Sequence, residues 1–225
     1  MKRAAWLVAG VVFFTGIVVL VPRAQRGALP PARPGALGAG VTLLPNGWKI
    51  APAGEHFPIG DLPLNMVMAP GGRYLIVTNN GHAKPTLTVV DLENRYVKAR
   101  VPVDHAWLGL AWHPDGRRLY SSGASQNTVN EFTWENDRLT QTATHVLGRP
   151  ERNASGRLEN PGFIGGVAVA GDGKALYAVH VLGTALSAVD LEHGRVRQTV
   201  QLPAEPYTCL LAPDGRTLFV SLWGG

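Results

Sequence analysis

Residues 111–120 read AWHPDGRRLY: an apolar strand, a Pro-Asp-Gly turn, and the opening of a second strand. The same order returns as MAPGGRYLIV at 68–77, VAGDGKALYA at 169–178 and LAPDGRTLFV at 211–220. Glycine supplies the positive φ of a tight hairpin, and aspartate can bond the backbone just downstream of itself. A turn written four times marks a structural unit used four times. Measured from Gly72, Gly116, Gly173 and Gly215, the copies lie 44, 57 and 42 residues apart. Four-stranded propeller blades run about 40–45 residues, so the long middle interval holds an insertion.

Each copy starts with a strand that is apolar on both faces: LNMVMA (64–69), LGLAWH (108–113), GGVAVA (165–170) and YTCLLA (207–212). Strands of this kind are buried on both sides. After the turn come YLIVTN, RLYSSG, ALYAVH and TLFVSL. Third strands TLTVVDL (86–92) and ALSAVDL (185–191), with TVNEFTW (128–134) as the weaker equivalent, lead into fourth strands YVKARVPV (96–103) and RVRQTVQL (195–202). Four meandering strands per copy, with no amphipathic helix after residue 21, predict an all-β fold, a β-propeller of four-stranded antiparallel blades, preceded by an N-terminal transmembrane or signal helix. The expected blades are about 61–103, 104–150, 160–202 and an incomplete 203–225, with the insertion at 148–163. Residues 55–60 read as the outer strand of a closing blade. The propeller, over 41–225, is then partial, with about four blades, and the chain reads as an N-terminal piece of a longer protein.

Composition fits this reading. The chain of 225 residues is 45% hydrophobic and 16% charged, with 27 Gly and 17 Pro, a balance suited to short strands and tight turns. The net charge of +5 is spread without a run of basic residues, which argues against nucleic-acid binding. The single cysteine, Cys209, excludes an intrachain disulfide and sits in an apolar run as a buried thiol. At the N-terminus, Lys2 and Arg3 precede an uncharged stretch, Ala4 to Val21. As a helix it would be about 27 Å long, close to a bilayer core. Residues 1–21 therefore read as a signal peptide or membrane anchor, with membrane contact through residues 4–21 if uncleaved. Residues 22–40 read as a flexible linker. The rest is expected to be exported to the periplasm or another extracytoplasmic space.

The second-strand endings IVTN (76–79), YSSG (120–123), YAVH (177–180) and FVSL (219–222), with the PDGR turns and the VVDL and AVDL strands, resemble the Tyr-Val-Thr-Asn signature of the YVTN-type, YncE-like β-propeller repeat family over residues 41–225. The segment LPNGWKIAPAG (44–54) also resembles the start of envelope proteins in which such a propeller precedes a phosphoesterase domain of the alkaline-phosphatase type.

In a propeller, the loops from strand two to three and from strand four to the next blade share one face. Long loops on one face are where function commonly lives. The residues singled out there as ligand-binding candidates are Asn79, Asn80, His82, Lys84, His105, Trp107, His180 and Tyr207, with Arg149 and Arg152 from the insertion. His82, His105 and His180 come from three blades. No metal-ligand spacing links them, so no metal site and no cofactor are assigned. NAS at 153–155 matches a glycosylation acceptor. There is no Gly-x-Ser-x-Gly elbow, P-loop or cysteine pair, and no catalytic residue is assigned.

The leading expectation is an exported, non-catalytic binding or scaffold domain of a longer cell-envelope protein, taking an unidentified ligand or protein at its loop face. The alternative is a lactonase-like propeller hydrolase acting in the central pocket. A third reading is the N-terminal propeller of a phosphoesterase whose catalytic domain lies beyond residue 225.

Overall fold

The computed structural model describes residues 33–54, 56, 58–148, 154–155 and 162–223. The stretch 4–21, read above as a membrane or signal helix, and Arg149 and Arg152 lie outside the described residues. What is described contains strands and turns and no helix, so the expectation of a helix in the fold finds no counterpart there. No helix among the described residues is long and apolar enough to cross a membrane.

The chain divides into two compact units, residues 1–56 and 57–225. In the first, β1 (Gly35–Gly38), β2 (Val41–Leu43) and β3 (Lys49–Ile50) form a small antiparallel sheet. Its first strand occupies sequence read above as linker. Between Ile50 and Pro63 the described residues form no strand, although 55–60 reads as one.

The second unit carries the repeat. Blade one is β4 (Pro63–Met68), β5 (Tyr74–Asn79), β6 (Thr86–Asp91) and β7 (Tyr96–Pro102). Blade two is β8 (Leu110–Trp112), β9 (Arg118–Ser122), β10 (Thr128–Glu135) and β11 (Arg138–Val146). Blade three is β12 (Ile164–Val169), β13 (Ala175–His180), β14 (Ala185–Asp190) and β15 (Arg195–Gln201). Then come β16 (Pro206–Leu211) and β17 (Leu218–Leu222), a two-stranded sheet. Every sheet is an antiparallel meander in chain order, and the inner strands β4, β8, β12 and β16 neighbour one another in turn.

The four turns close in the same way. Ala69, His113, Ala170 and Ala212 each exchange backbone bonds with the residue five positions on and with the turn glycine. Those glycines have φ between 67° and 75°, in a region side chains disfavour. Asp115 and Asp214 accept the backbone N–H of Arg117 and Arg216, each at 2.8 Å, through a side-chain oxygen.

The blades are joined by apolar sandwiches. Tyr74, Ile76, Leu87 and Val89 of blade one pack on Leu110, Leu119, Phe132 and Leu139 of blade two. Tyr120 and Val129 pack on Ile164, Val167, Leu176 and Val189 of blade three. Ala168 and Val179 meet Cys209 and Val220. Polar contacts add direction: the Tyr74 hydroxyl donates to Asp137 Oδ2 at 2.7 Å, and His113 Nε2 lies 3.0 Å from the Gly173 carbonyl in the next blade's turn.

Candidate functional site: the inner-strand wall

Three inner strands carry a register irregularity near the loop end: between Pro63 and Met66, Ile164 and Val167, and Pro206 and Thr208. A bulge takes one backbone N–H off the ladder, and a buried N–H needs another acceptor. In blades one and four the second strand supplies it, and in blade two the same bond forms beside a regular register. Thr78 Oγ1 accepts from Asn65 N at 3.1 Å, Ser122 Oγ from Gly109 N at 3.1 Å, and Ser221 Oγ from Thr208 N at 3.2 Å. These hydroxyls are the third letters of IVTN, YSSG and FVSL. In blade three the position is Val179.

The four inner strands line an open concave wall with a cavity of about 390 Å³ between Asn65, residues 108–112, 166–169 and 208–211. Asn65, Gly109, Gly166 and Thr208 share one register. A Cβ on Gly109 would stand 2.5 Å from the Gly165 carbonyl oxygen, and one on Gly166 would strike the Thr208 hydroxyl. Glycine at both positions lets adjacent inner strands close up, and Asn65 and Thr208 stand among apolar side chains and exposed backbone. The Asn65 amide donates to the Leu108 carbonyl of the next blade and accepts from Met66 N at 2.8 Å. Cys209 also lines the wall, with its thiol pKa pushed up to about 12 by burial, which makes it a poor nucleophile. Neither Asn65 nor Thr208 stands out in the sequence. The signal for both is their register one residue before Met66 and Cys209, where the middle copies carry glycine.

The candidates drawn from the loop face are dispersed. Asn79 is buried and donates from Nδ2 to Thr88 Oγ1 at 2.7 Å, and Thr88 donates to the Ile59 carbonyl at 3.2 Å. His180 holds the same place in blade three. It is buried, with Nε2 2.8 Å from Ser187 Oγ and that hydroxyl 3.0 Å from Thr199 Oγ1; burial lowers its pKa. Asn80 donates its backbone N–H to Leu62. His82 and Lys84 are exposed on a loop that Asp61 pins through Ala83 N at 3.0 Å. His105 Nε2 lies 2.9 Å from Gln126 Nε2. Trp107 stacks edge-on against Phe163, with centroids 5.2 Å apart, and Tyr207 lies against Trp223 at 5.7 Å. His82, His105 and His180 form no cluster. Among the described residues, the group close enough to share an ion is Asp190, Glu192 and His193. Burial opposes ionisation of Asp190, but Arg197, His193 and the backbone N–H groups of His193 and Glu192 outweigh it and hold its carboxyl well below the usual range. With its oxygens already accepting those donors, Asp190 serves as the cap of the β14–β15 turn.

The SMP-30/gluconolactonase/LRE-like region family matches residues 42–223. The chain belongs to this family. Solved structures with a similar fold include the periplasmic gluconolactonase of Pseudomonas aeruginosa, 24% identical with a TM-score of 0.55 over 70% of this chain and 46% of that one. A gluconolactonase of Xanthomonas campestris is 17% identical, with a TM-score of 0.56 over 82% of this chain and 62% of that one. Hydrazine synthase of Kuenenia stuttgartiensis is 22% identical, with a TM-score of 0.56 over 71% of this chain and 42% of that one. At these identities the likeness is one of fold. The chain spans about half the length of such structures, from 42% to 62% in these three. No curated protein matches the chain by sequence.

Membership of the SMP-30/gluconolactonase/LRE-like family corrects the YVTN/YncE reading. The letters that carried that resemblance are fold-making: the third, where it is Thr or Ser, accepts an inner-strand N–H, and the fourth, Asn79 or His180, ties strand two to strand three. Any propeller with this bulge has use for them, so they do not separate one family from another. The same membership replaces the expectations of a non-catalytic scaffold and of a segment without enzymatic activity, because the family is one named for a lactone-hydrolysing enzyme.

Proposed function

We propose that this chain is a lactonase-type propeller domain that binds and hydrolyses a small lactone against the inner-strand wall. The observation that carries the reading is the family match over residues 42–223. The wall suits such a substrate. It is concave, with apolar side chains, exposed backbone and the polar side chains of Asn65 and Thr208, and a volume of about 390 Å³, within the usual range for small-molecule sites. In this reading the Thr208 hydroxyl, on the wall beside Gly166, bonds a ring carbonyl or hydroxyl. The Asn65 side chain, held by Leu108 and Met66, keeps the bulge in shape. An extracytoplasmic location belongs to the same proposal, supported by the fold shared with the periplasmic enzyme of P. aeruginosa.

The test is hydrolysis of glucono-δ-lactone by the purified chain, followed in a pH-stat with the spontaneous rate subtracted. The expected result is a saturable acceleration, with Thr208→Val lowering kcat/KM by about 3- to 10-fold, the worth of one hydrogen bond. A rate equal to the spontaneous one would overturn the reading.

A further inference from the structure

The repeat supplies an internal control for sites away from the inner-strand wall, because a position that departs from its equivalents in the other blades needs its own explanation. Three departures fall together in blade two. Where strand two ends in Asn79 and His180, blade two has Gly123, and the Thr128 hydroxyl takes up the space of the missing side chain. Where strand three carries the hydroxyls of Thr88 and Ser187, blade two has Asn130. On the outer strand, Val97 lies opposite Val90 and Val196 opposite Val189, but Gln141 lies opposite Phe132.

These substitutions border one groove of about 470 Å³, lined by Asp104, His105, Gln126, Thr128, Asn130, Gln141 and Thr144. Asn130 is buried. Its Oδ1 accepts from Gln141 Nε2 at 3.3 Å and from Thr144 Oγ1 at 3.1 Å, and Gln141 Nε2 also donates to Thr144 Oγ1 at 3.1 Å. The bulge between Glu131 and Phe132 brings Gln141 and Thr144, three residues apart, to the same side of β11. Gln126 is set against His105. Carboxamides, hydroxyls and an imidazole can each donate or accept, in keeping with a ligand that presents neighbouring hydroxyls. The lining has one carboxylate and no Lys or Arg, which disfavours an anion.

We infer that this groove on blade two is a binding site for a neutral saccharide, recognised through vicinal hydroxyls by Gln126, Asn130, Gln141 and Thr144. It lies apart from the inner-strand wall and does not depend on lactone hydrolysis.

The experiment titrates the ¹⁵N-labelled full chain with methyl β-glucoside, which has no acyl bond to hydrolyse, and follows the side-chain amides of Gln126 and Gln141. Glucuronate serves as the anionic comparison. Gln141→Val installs the residue that blades one and three carry, and Gln126→Ala alters an exposed loop position. Thermal melting verifies that both variants fold. Saturable shifts at Gln126 and Gln141 in the parent, with affinity weakened about tenfold or more in each variant as read at the amide it retains, are the expected result. The inference falls if no saturable shift occurs at these amides, if both variants bind as the parent does, or if glucuronate binds more tightly than the glucoside.

Discussion

The Thr78 hydroxyl accepts the backbone N–H of Asn65 at 3.1 Å, and this bond holds the inner strand of blade one in its irregular shape where it meets the channel. Thr78 is fully buried. Thr78→Val keeps the shape of the side chain and orphans that N–H. The expected loss is about 1–3 kcal/mol, the cost of a buried donor without a partner, read from urea or thermal unfolding. Ser122→Ala in blade two should fall in the same range. Wild-type stability in both variants would show that water or another acceptor does the work.

His180 tests the equivalence of the blades. Asn79 stands at its position in blade one and bonds Thr88 as His180 bonds Ser187. His180→Asn should therefore preserve most of the stability at pH 8, whereas His180→Leu should not, because it leaves Ser187 with one partner fewer. The parent has a pH signature as well. Burial lowers the folded pKa of His180 below its ordinary 6.5, so below pH 6.5 the unfolded chain takes up a proton that the folded chain refuses. Stability should fall as pH drops from 7 towards 5, and His180→Asn should flatten that slope.

Asp91, with Asp190, contributes to the acid limb. The Arg73 guanidinium, 2.8 Å away, holds its carboxyl far below the ordinary 3.8, with Asn94 assisting against the cost of burial. A carboxylate with a depressed folded pKa contributes stability that is fully present above about pH 4 and fades as pH falls further. Asp91→Asn should lower stability at pH 7 and narrow the gap to the parent as the solution is acidified. A gap that stays constant between pH 7 and pH 2 would exclude this linkage.

Cys209 should be silent in the folded chain. With its pKa pushed up to about 12 by burial, almost no thiolate exists at pH 8. A disulfide reagent should label it only at the rate of global unfolding, and addition of urea should release the reaction. Prompt labelling in native buffer would mean that β16 opens locally.

Much of the architecture was legible in the sequence because turn chemistry is local. The Asp-Gly pairs dictate the hairpin wherever they occur, and the apolar strands on either side follow from it. The site was less legible for the opposite reason. Asn65 and Thr208 matter through register against strands roughly forty to a hundred residues away, and Gly109 and Gly166 matter through what they leave unfilled. Asn79 and His180 invite attention as polar residues, yet each is occupied inside its own sheet. The run GALGAG shows no alternation of polarity, but Ala36 pairs with Thr42 all the same, because small residues suit a tight antiparallel turn without announcing it.

The bond from strand two to the bulged inner strand lies wholly within one blade, and so does the turn that precedes it. Blades one, two and four thus each fix the shape of their own inner strand from within. A recombination event that copied or excised one whole repeat between equivalent turns would leave that local bond intact, while contacts between blades, such as Tyr74 with Asp137, would have to be remade.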